Sequence, residues 1–365
     1  MTRVLRAALA AVAAASLLAG CAAAGEPDGD STTSAADTRP LDELELYPDP
    51  RAVEGPSTAV IASDAIDPIV ENPTQALPAT VVSHDPDGDR DVTIDDTSRV
   101  LALDIAGSLA ATVWGLGLGD ALVGRDMSTT FPGTEQLPLV TSGAHAINAE
   151  SVLELRPSLI ITDGSIGPRD VLEQLRESGV AVVFVANEPS FEGAAQLARD
   201  VGAALGVPDA GEQLGARIAS EVDGTVAEIA RIAPASEDAK LRVVFLYLRG
   251  ASGIYYLFGE ESGASALITA LGARDVATEL GWQDSTPMTD EAMIAADPDL
   301  ILVMTDGLAS AGGLDGLLAA KPAIALTRAG QHRRFVDMAD GEILSFGPRS
   351  AAVLDALARA LYAEP

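Results

Sequence analysis

The chain has 365 residues, a formal net charge of −31 and a hydrophobic content of 48%. That charge excludes a protein built to hold a phosphate backbone, so no nucleic acid partner is expected. A single cysteine and three histidines exclude a disulfide framework and leave little material for a zinc enzyme.

The chain starts MTRVLRAALAAVAAASLLAGC. Arg3 and Arg6 form a positive region, a short apolar run follows, and Leu18-Ala19-Gly20-Cys21 closes it. The run is too short for a spanning helix and reads as an export signal over residues 1–20. The ending resembles a lipobox, which makes Cys21 the expected lipidated first residue of the mature chain. The protein is then extracytoplasmic, anchored by acyl chains to the outer face of the cell membrane. Residues 21–78 are Pro-, Asp-, Ser- and Thr-rich without clear periodicity and read as the lipidated cysteine plus a flexible tether.

Periodic order begins at residue 79. ATVVSH and RDVTID read as strands around the turn DPDGD, and RVLALD as a buried strand. GSLAATVWGLGLGDALVGRD reads as helix, glycine stop and short strand, and LPLVTSG as a further strand-like run. ESVLELRPSLIITDG and VLEQLRESGVAVVFVA each read as helix then strand. This alternation predicts βαβ units and a mostly parallel sheet over 79–206. In residues 207–234, Leu214, Ile218, Val222, Val226 and Ile229 keep helical spacing, Pro208 suits the first turn and Pro234 the end. A rod of that length, roughly 39 Å, is more than a crossover needs and fits a link between two lobes. The second lobe, 235–365, repeats the first: EAMIAADPDLILVM echoes ESVLELRPSLIIT, with glutamate first, proline eighth and a buried strand after. SAAVLDALARALYA reads as a closing helix. The expected fold is α/β, with two similar lobes, mostly parallel central sheets and one long interdomain helix.

This pattern resembles the helical-backbone binding proteins of ABC importers, which carry vitamin B12, siderophores or haem. The likeness covers residues 79–362. It is nearer to the actinobacterial haemin-binding lipoproteins, carried by SRVLALDIAGSLAATVWGLGLGDALVGRD, TSGAHAINAESVLELRPSLIITDGSIGP and FLYLRG. The resemblance implies a ligand cleft between lobes that move little, ferric haem b as the transported ligand, and an ABC permease with its ATPase as partners. A haem-donor surface protein is a further candidate partner.

His145 stands among small residues on a loop between a strand end and a helix start, where α/β proteins line their ligand crevices. Residues alone leave an ordinary loop histidine open; the resemblance makes His145 an axial iron ligand. Tyr247 and Arg249 are two apart in a strand and so share a face. A guanidinium beside a phenol favours the phenolate, a hard oxygen ligand for ferric iron. The resemblance makes Tyr247 the second metal ligand and Arg249 its companion. Tyr255 and Tyr256 are candidates for the haem wall, with Trp114, Phe131, Ile254, Phe258 and Trp282 equally suited to the core. Arg349, with Arg125 and Arg169 behind it, is a candidate propionate partner. His84 and His332 read as peripheral. Glu150 and Glu291 open the two repeated helices; by themselves they fit helix N-termini, and the resemblance makes them the permease-docking pair.

DPDGD lacks the glycine and glutamate of an EF-hand, no Gly-Lys-Thr phosphate loop occurs, and no G-x-S-x-G elbow or convincing triad is present. The reading is a haem-delivering lipoprotein and not an enzyme. The same fold with a ferric siderophore or corrinoid is the alternative cargo. A zinc or manganese binder needs more histidines, and a haem chaperone without an importer stays open.

Overall fold

The computed structural model describes residues 32–33 and 38–364. The signal over 1–20, Cys21 and the tether up to residue 31 lie outside the described residues. Among the described residues no helix is long and apolar enough to cross a membrane.

A two-residue strand, β1 (Ser57–Thr58), precedes the hairpin β2 (Ala79–Ser83) and β3 (Arg90–Ile94). Then follow β4 (Val100–Leu103), α1 (Ser108–Gly115), α2 (Ala149–Leu155), β5 (Leu159–Thr162), α3 (Arg169–Glu177), β6 (Ala181–Phe184) and α4 (Phe191–Ala204). The strands β4, β5 and β6 pair in that order, all parallel, and every residue of β4 and β5 is buried. Their near-continuous apolar runs are what a sheet covered on both faces demands. The run LPLVTSG contributes only the short strand Thr141–Ser142, because its chain turns at once into the His145 loop.

The long helix α5 (Pro208–Ile232) crosses to the second lobe, about 37 Å for 25 residues. Leu214, Ile218, Val222 and Ile229 form its buried stripe. It lies against α4 with almost no space between the backbones: a Cβ on Gly215 would stand 2.7 Å from the Ala195 carbonyl oxygen. Gly215→Val therefore pushes the two helices apart and should cost about 2 kcal/mol of stability. Thermal unfolding checks this, and an unchanged midpoint would refute the close packing.

The second lobe holds β7 (Arg242–Arg249), β8 (Ile254–Phe258), α6 (Ala264–Ala270), α7 (Asp290–Ala296), β9 (Leu300–Met304), β10 (Phe335–Met338) and α8 (Ser350–Tyr362), with short helices between 305 and 331. β7, β9 and β10 are parallel, while β8 returns antiparallel on β7. The repeat extends to atomic detail. Asn148 and Thr289 cap α2 and α7 by accepting from the third residue on, at 3.1 Å each. Arg156 (φ 46°) and Asp297 (φ 37°) end both helices in the left-handed region. Arg99 and Arg242 then donate to the last carbonyls, Arg99 Nε to Leu155 O at 3.0 Å and Arg242 Nη2 to Ala296 O at 2.7 Å.

Residues 38–78 depart from the expected tether. Leu41, Ala59, Ile61 and Ile66 are buried. β1 pairs in parallel with β10, Tyr47 N donates to Tyr362 O, Ile69 N to Gly115 O, and the Gln75 amide to Leu205 O. The segment is a strap that starts on the second lobe and ends on the first. Its anchors are scattered single apolar residues and backbone hydrogen bonds, which leave no period in the sequence. The lobes also meet behind the cleft, where a Cβ on Gly341 would come 2.6 Å from Ser128 O and the Arg349 guanidinium lies 5.6 Å from the Phe131 ring centre.

Candidate functional site

The parallel strands of both lobes end at one cavity of about 350 Å³, within the ~300–1,000 Å³ usual for small-molecule sites. Ile105, Ser108 and Ser128 line it from the first lobe with Asp163 and Asn187, which follow β5 and β6. Phe258 and Met304 line it from the second lobe, with Asp340 just past β10. Most of the lining surface is apolar, while the lining residues include many polar groups, among them Asp163, Asn187, Arg249 and Asp340.

His145, Tyr247 and Arg249 all face this cavity. His145 ends the single turn Gly143–His145 with φ at 56°, a conformation unusual for a residue with a Cβ. The turn is held from below by buried Ile147, whose N–H donates to Gly167 O, and by the Asn148 cap. The imidazole is half-buried and its Nδ1 is buried with no hydrogen-bond partner. Burial holds its pKa below the ordinary 6.5, the Arg249 charge across the cleft lowers it further, and Asp340 opposes. The lowered pKa favours the neutral imidazole, the form that can donate a lone pair to a metal.

Tyr247 sits near the end of β7, with its ring stacked on Phe258 at 5.3 Å and 9° between planes. Phe258 also stacks on Phe245. The Arg249 guanidinium carbon lies 4.8 Å from the centre of the Tyr247 ring. Arg249 is fixed in turn by Asp340, with Nη2 2.9 Å from Oδ2, and Asp340 Oδ1 accepts from Asp306 N. Burial raises the Asp340 pKa, and the backbone donor and Arg249 pull it back. The phenol therefore lies between an aromatic face and a cation that is itself anchored.

Other expected residues fall elsewhere. Tyr256 is directly opposite Tyr247 across β7 and β8, so it shares that face but lies off the cavity wall. Tyr255 is a correction: it pairs with Leu248, points to the opposite face and carries Lys321 Nζ 4.2 Å above its ring. The strand alternation that puts Tyr247 in the cleft puts Tyr255 behind it. Arg349 is a second correction. It is buried behind the cleft, donates Nη2 to Gly341 O at 3.0 Å and covers Phe131. Burial lowers its pKa, and Glu342 and Asp64 counter that. Phe131 and Trp114 pack edge to face in the core at 5.5 Å. Arg169 pairs with Asp87 on the surface, and Arg125 turns to Thr129 O. Arg249 is the arginine of the cavity wall. Glu150 and Glu291 are exposed in the first turns of α2 and α7.

Behind the first-lobe wall lies an acid pair. Asp104 accepts from Ser108 N, Ser108 Oγ and Leu109 N, and Asp126 from Asp104 N, Ser128 N and Thr129 N. Burial pushes the Asp104 carboxyl up to about 8, with the charges of Asp126 and Asp163 adding to it, and burial raises Asp126 as well. Both are raised above the unfolded value near 4. The native state therefore keeps protons that unfolding releases, and stability should fall as pH rises from about 4 towards 8. Thermal midpoints over that range check the sign; a midpoint that climbs throughout would contradict it, and Asp104→Asn should flatten the slope.

The chain matches the periplasmic binding protein family model over residues 101–340. It is similar to the crystal structure of the heme binding protein HmuT, with 39% identity and a TM-score of 0.81 over 87% of this chain and 100% of that one. Solved variants of HmuT replace one arginine, one histidine or one tyrosine with alanine, the tyrosine and arginine standing two residues apart. An ABC transporter substrate-binding lipoprotein of Bacillus subtilis, YvrC, is 25% identical over 82% of this chain and 90% of that protein. A cobalamin-binding protein of Halobacterium salinarum is 28% identical over 58% of this chain, which spans only 55% of that relative. With two thirds of its length inside the family model and a 39% identical relative matched end to end, the chain belongs to the periplasmic binding protein family.

Proposed function

We propose that the protein captures ferric haem in the cleft between its lobes and delivers it to an ABC permease for uptake, acting as a carrier and not as an enzyme. The observation that carries this reading is one cavity with an imidazole whose buried Nδ1 has no partner on one wall and a phenol beside a fixed guanidinium on the other. His145 would hold the iron through nitrogen and Tyr247 through phenolate oxygen. Arg249 lies against the Tyr247 ring, and Asp340 keeps the guanidinium in place. Stacked Phe258 and Met304 offer apolar surface to a macrocycle. The spacing of Tyr247 and Arg249 equals that of the tyrosine and arginine replaced in the HmuT variants, which supports the same reading. Glu150 and Glu291 would face the permease, and a lipid on Cys21 would anchor the chain at the outer face of the membrane.

A corrinoid is the second reading, favoured by the cobalamin-binding relative and by the cavity histidine. Competition decides between them. The mature chain is equilibrated with equal haemin and cyanocobalamin, and the bound fraction is analysed. Haemin alone in the bound fraction is expected; cyanocobalamin in its place would overturn the haem assignment.

A further inference from the structure

The second-lobe wall of the cavity is built on neighbouring strands in the order β9, β7, β8. β9 runs parallel to β7, with Leu302 beside Phe245. Two residues further along each strand stand Met304 and Tyr247, at one level and on one face, with backbones about 4.8 Å apart. Both side chains line the cavity, and His145 lines it from the first lobe. Met304 is half-buried, while the residues of β9 before it are all buried. Among the described lining residues it is the one sulphur-bearing side chain. A methionine on a wall is in general a filler of gaps. This one stands beside the phenol, across the cavity from the imidazole.

We propose that Met304 is a second iron ligand of this wall, used for ferrous haem: Tyr247 binds the ferric state, and the Met304 thioether replaces it when the iron is reduced. The inference rests on the haem reading of the cavity and extends it to the other oxidation state of the same cargo. A phenolate is a hard, anionic oxygen ligand that suits ferric iron. A thioether is soft and neutral and favours ferrous iron, which is why histidine–methionine ligation raises haem potentials. The exchange balances with one electron from a one-electron reductant of the dithionite class. Iron(III) becomes iron(II), the iron–oxygen bond breaks, the freed phenolate takes a proton from water, and a sulphur lone pair makes the new bond. The methionine itself is not oxidised. Its long, unbranched side chain reaches the iron by turning about its own torsions, with both strands in place. The cleft therefore holds its cargo in either oxidation state.

The test records magnetic circular dichroism and iron-edge X-ray absorption of the mature chain with haemin, before and after anaerobic dithionite, for wild type and Met304→Leu. Leucine keeps an apolar side chain of similar volume on the wall. Wild type is expected to show nitrogen and oxygen on ferric iron, then nitrogen and sulphur on low-spin ferrous iron. In Met304→Leu the ferrous iron should be five-coordinate and high-spin. The ratio of ferrous to ferric affinity should fall about tenfold in that variant, which is a midpoint potential about 59 mV lower. Sulphur already on the ferric iron would overturn the proposal, and so would a variant that weakens both states alike, as a packing residue does. A reduced complex without sulphur, formed from a ferric complex that His145 and Tyr247 ligate, would sink this inference alone. A wild-type chain that takes up no haemin would sink the haem reading and this inference with it.

Discussion

With Tyr247 as the proposed iron ligand, Tyr247→Ala is expected to weaken haemin binding by at least about 100-fold, because loss of a direct ligand costs no less than the 10–100-fold typical of an outer-shell partner. The alanine also removes the ring stacked between Phe258 and Arg249. Tyr247→Phe separates the two effects: it keeps the stack and deletes the oxygen. The phenylalanine variant should lose the phenolate-to-iron absorption and most of the affinity while unfolding at the wild-type temperature. Arg249→Ala should fall between, about tenfold weaker, because the phenol remains but the guanidinium packed against its ring is gone. A Tyr247→Phe variant with wild-type affinity would show that packing, not ligation, is the role of this side chain.

The second large effect belongs to His145→Ala, which removes the ligand proposed for the opposite lobe. A loss of about 100-fold is expected, with a changed spectrum because the remaining phenolate then binds with a different partner or none. Its pH signature is specific. Burial and Arg249 keep the imidazole pKa below 6.5, so the neutral ligand persists through neutral pH and affinity should fall only as pH drops beneath that range. The His145→Ala variant should lack this acid limb. Measured Kd values between about pH 5 and pH 8 decide; a wild-type affinity that already collapses near neutrality would contradict the burial argument.

Much of this architecture was legible because the chain says it twice. The glutamate, the proline and the buried strand recur in both lobes, and their caps, left-handed ends and arginine locks recur with them. The linking helix announced itself by a 3.6-residue stripe and its prolines. Helix α4 carried usable signals, Ser190 as cap and Ala194, Leu197 and Val201 as stripe, yet no element was assigned to it from sequence. The strap over 38–78 was hidden because single anchors such as Leu41 and Ile66 have no period. Residue chemistry and alternation, joined to the family resemblance, picked out His145, Tyr247 and Arg249, which line the cavity. Asp163, Met304 and Asp340 were missed, although the rule that ligands lie beyond the carboxyl ends of parallel strands points at each. Tyr255 and Arg349 misled for a different reason. Tyr255 is one residue out of register with the cavity face, and Arg349 is an arginine whose burial only tertiary packing reveals.

The central claim is that each lobe supplies one ligand to a single iron. Electron paramagnetic resonance and visible spectra of the ferric haem complex, recorded for wild type, His145→Ala and Tyr247→Phe, test it most directly. The account predicts one haem per chain with a nitrogen and a phenolate oxygen on the iron, the nitrogen signature lost in the first variant and the oxygen signature in the second. A spectrum unchanged in either variant would remove that residue from the iron and with it the two-lobed mode of capture.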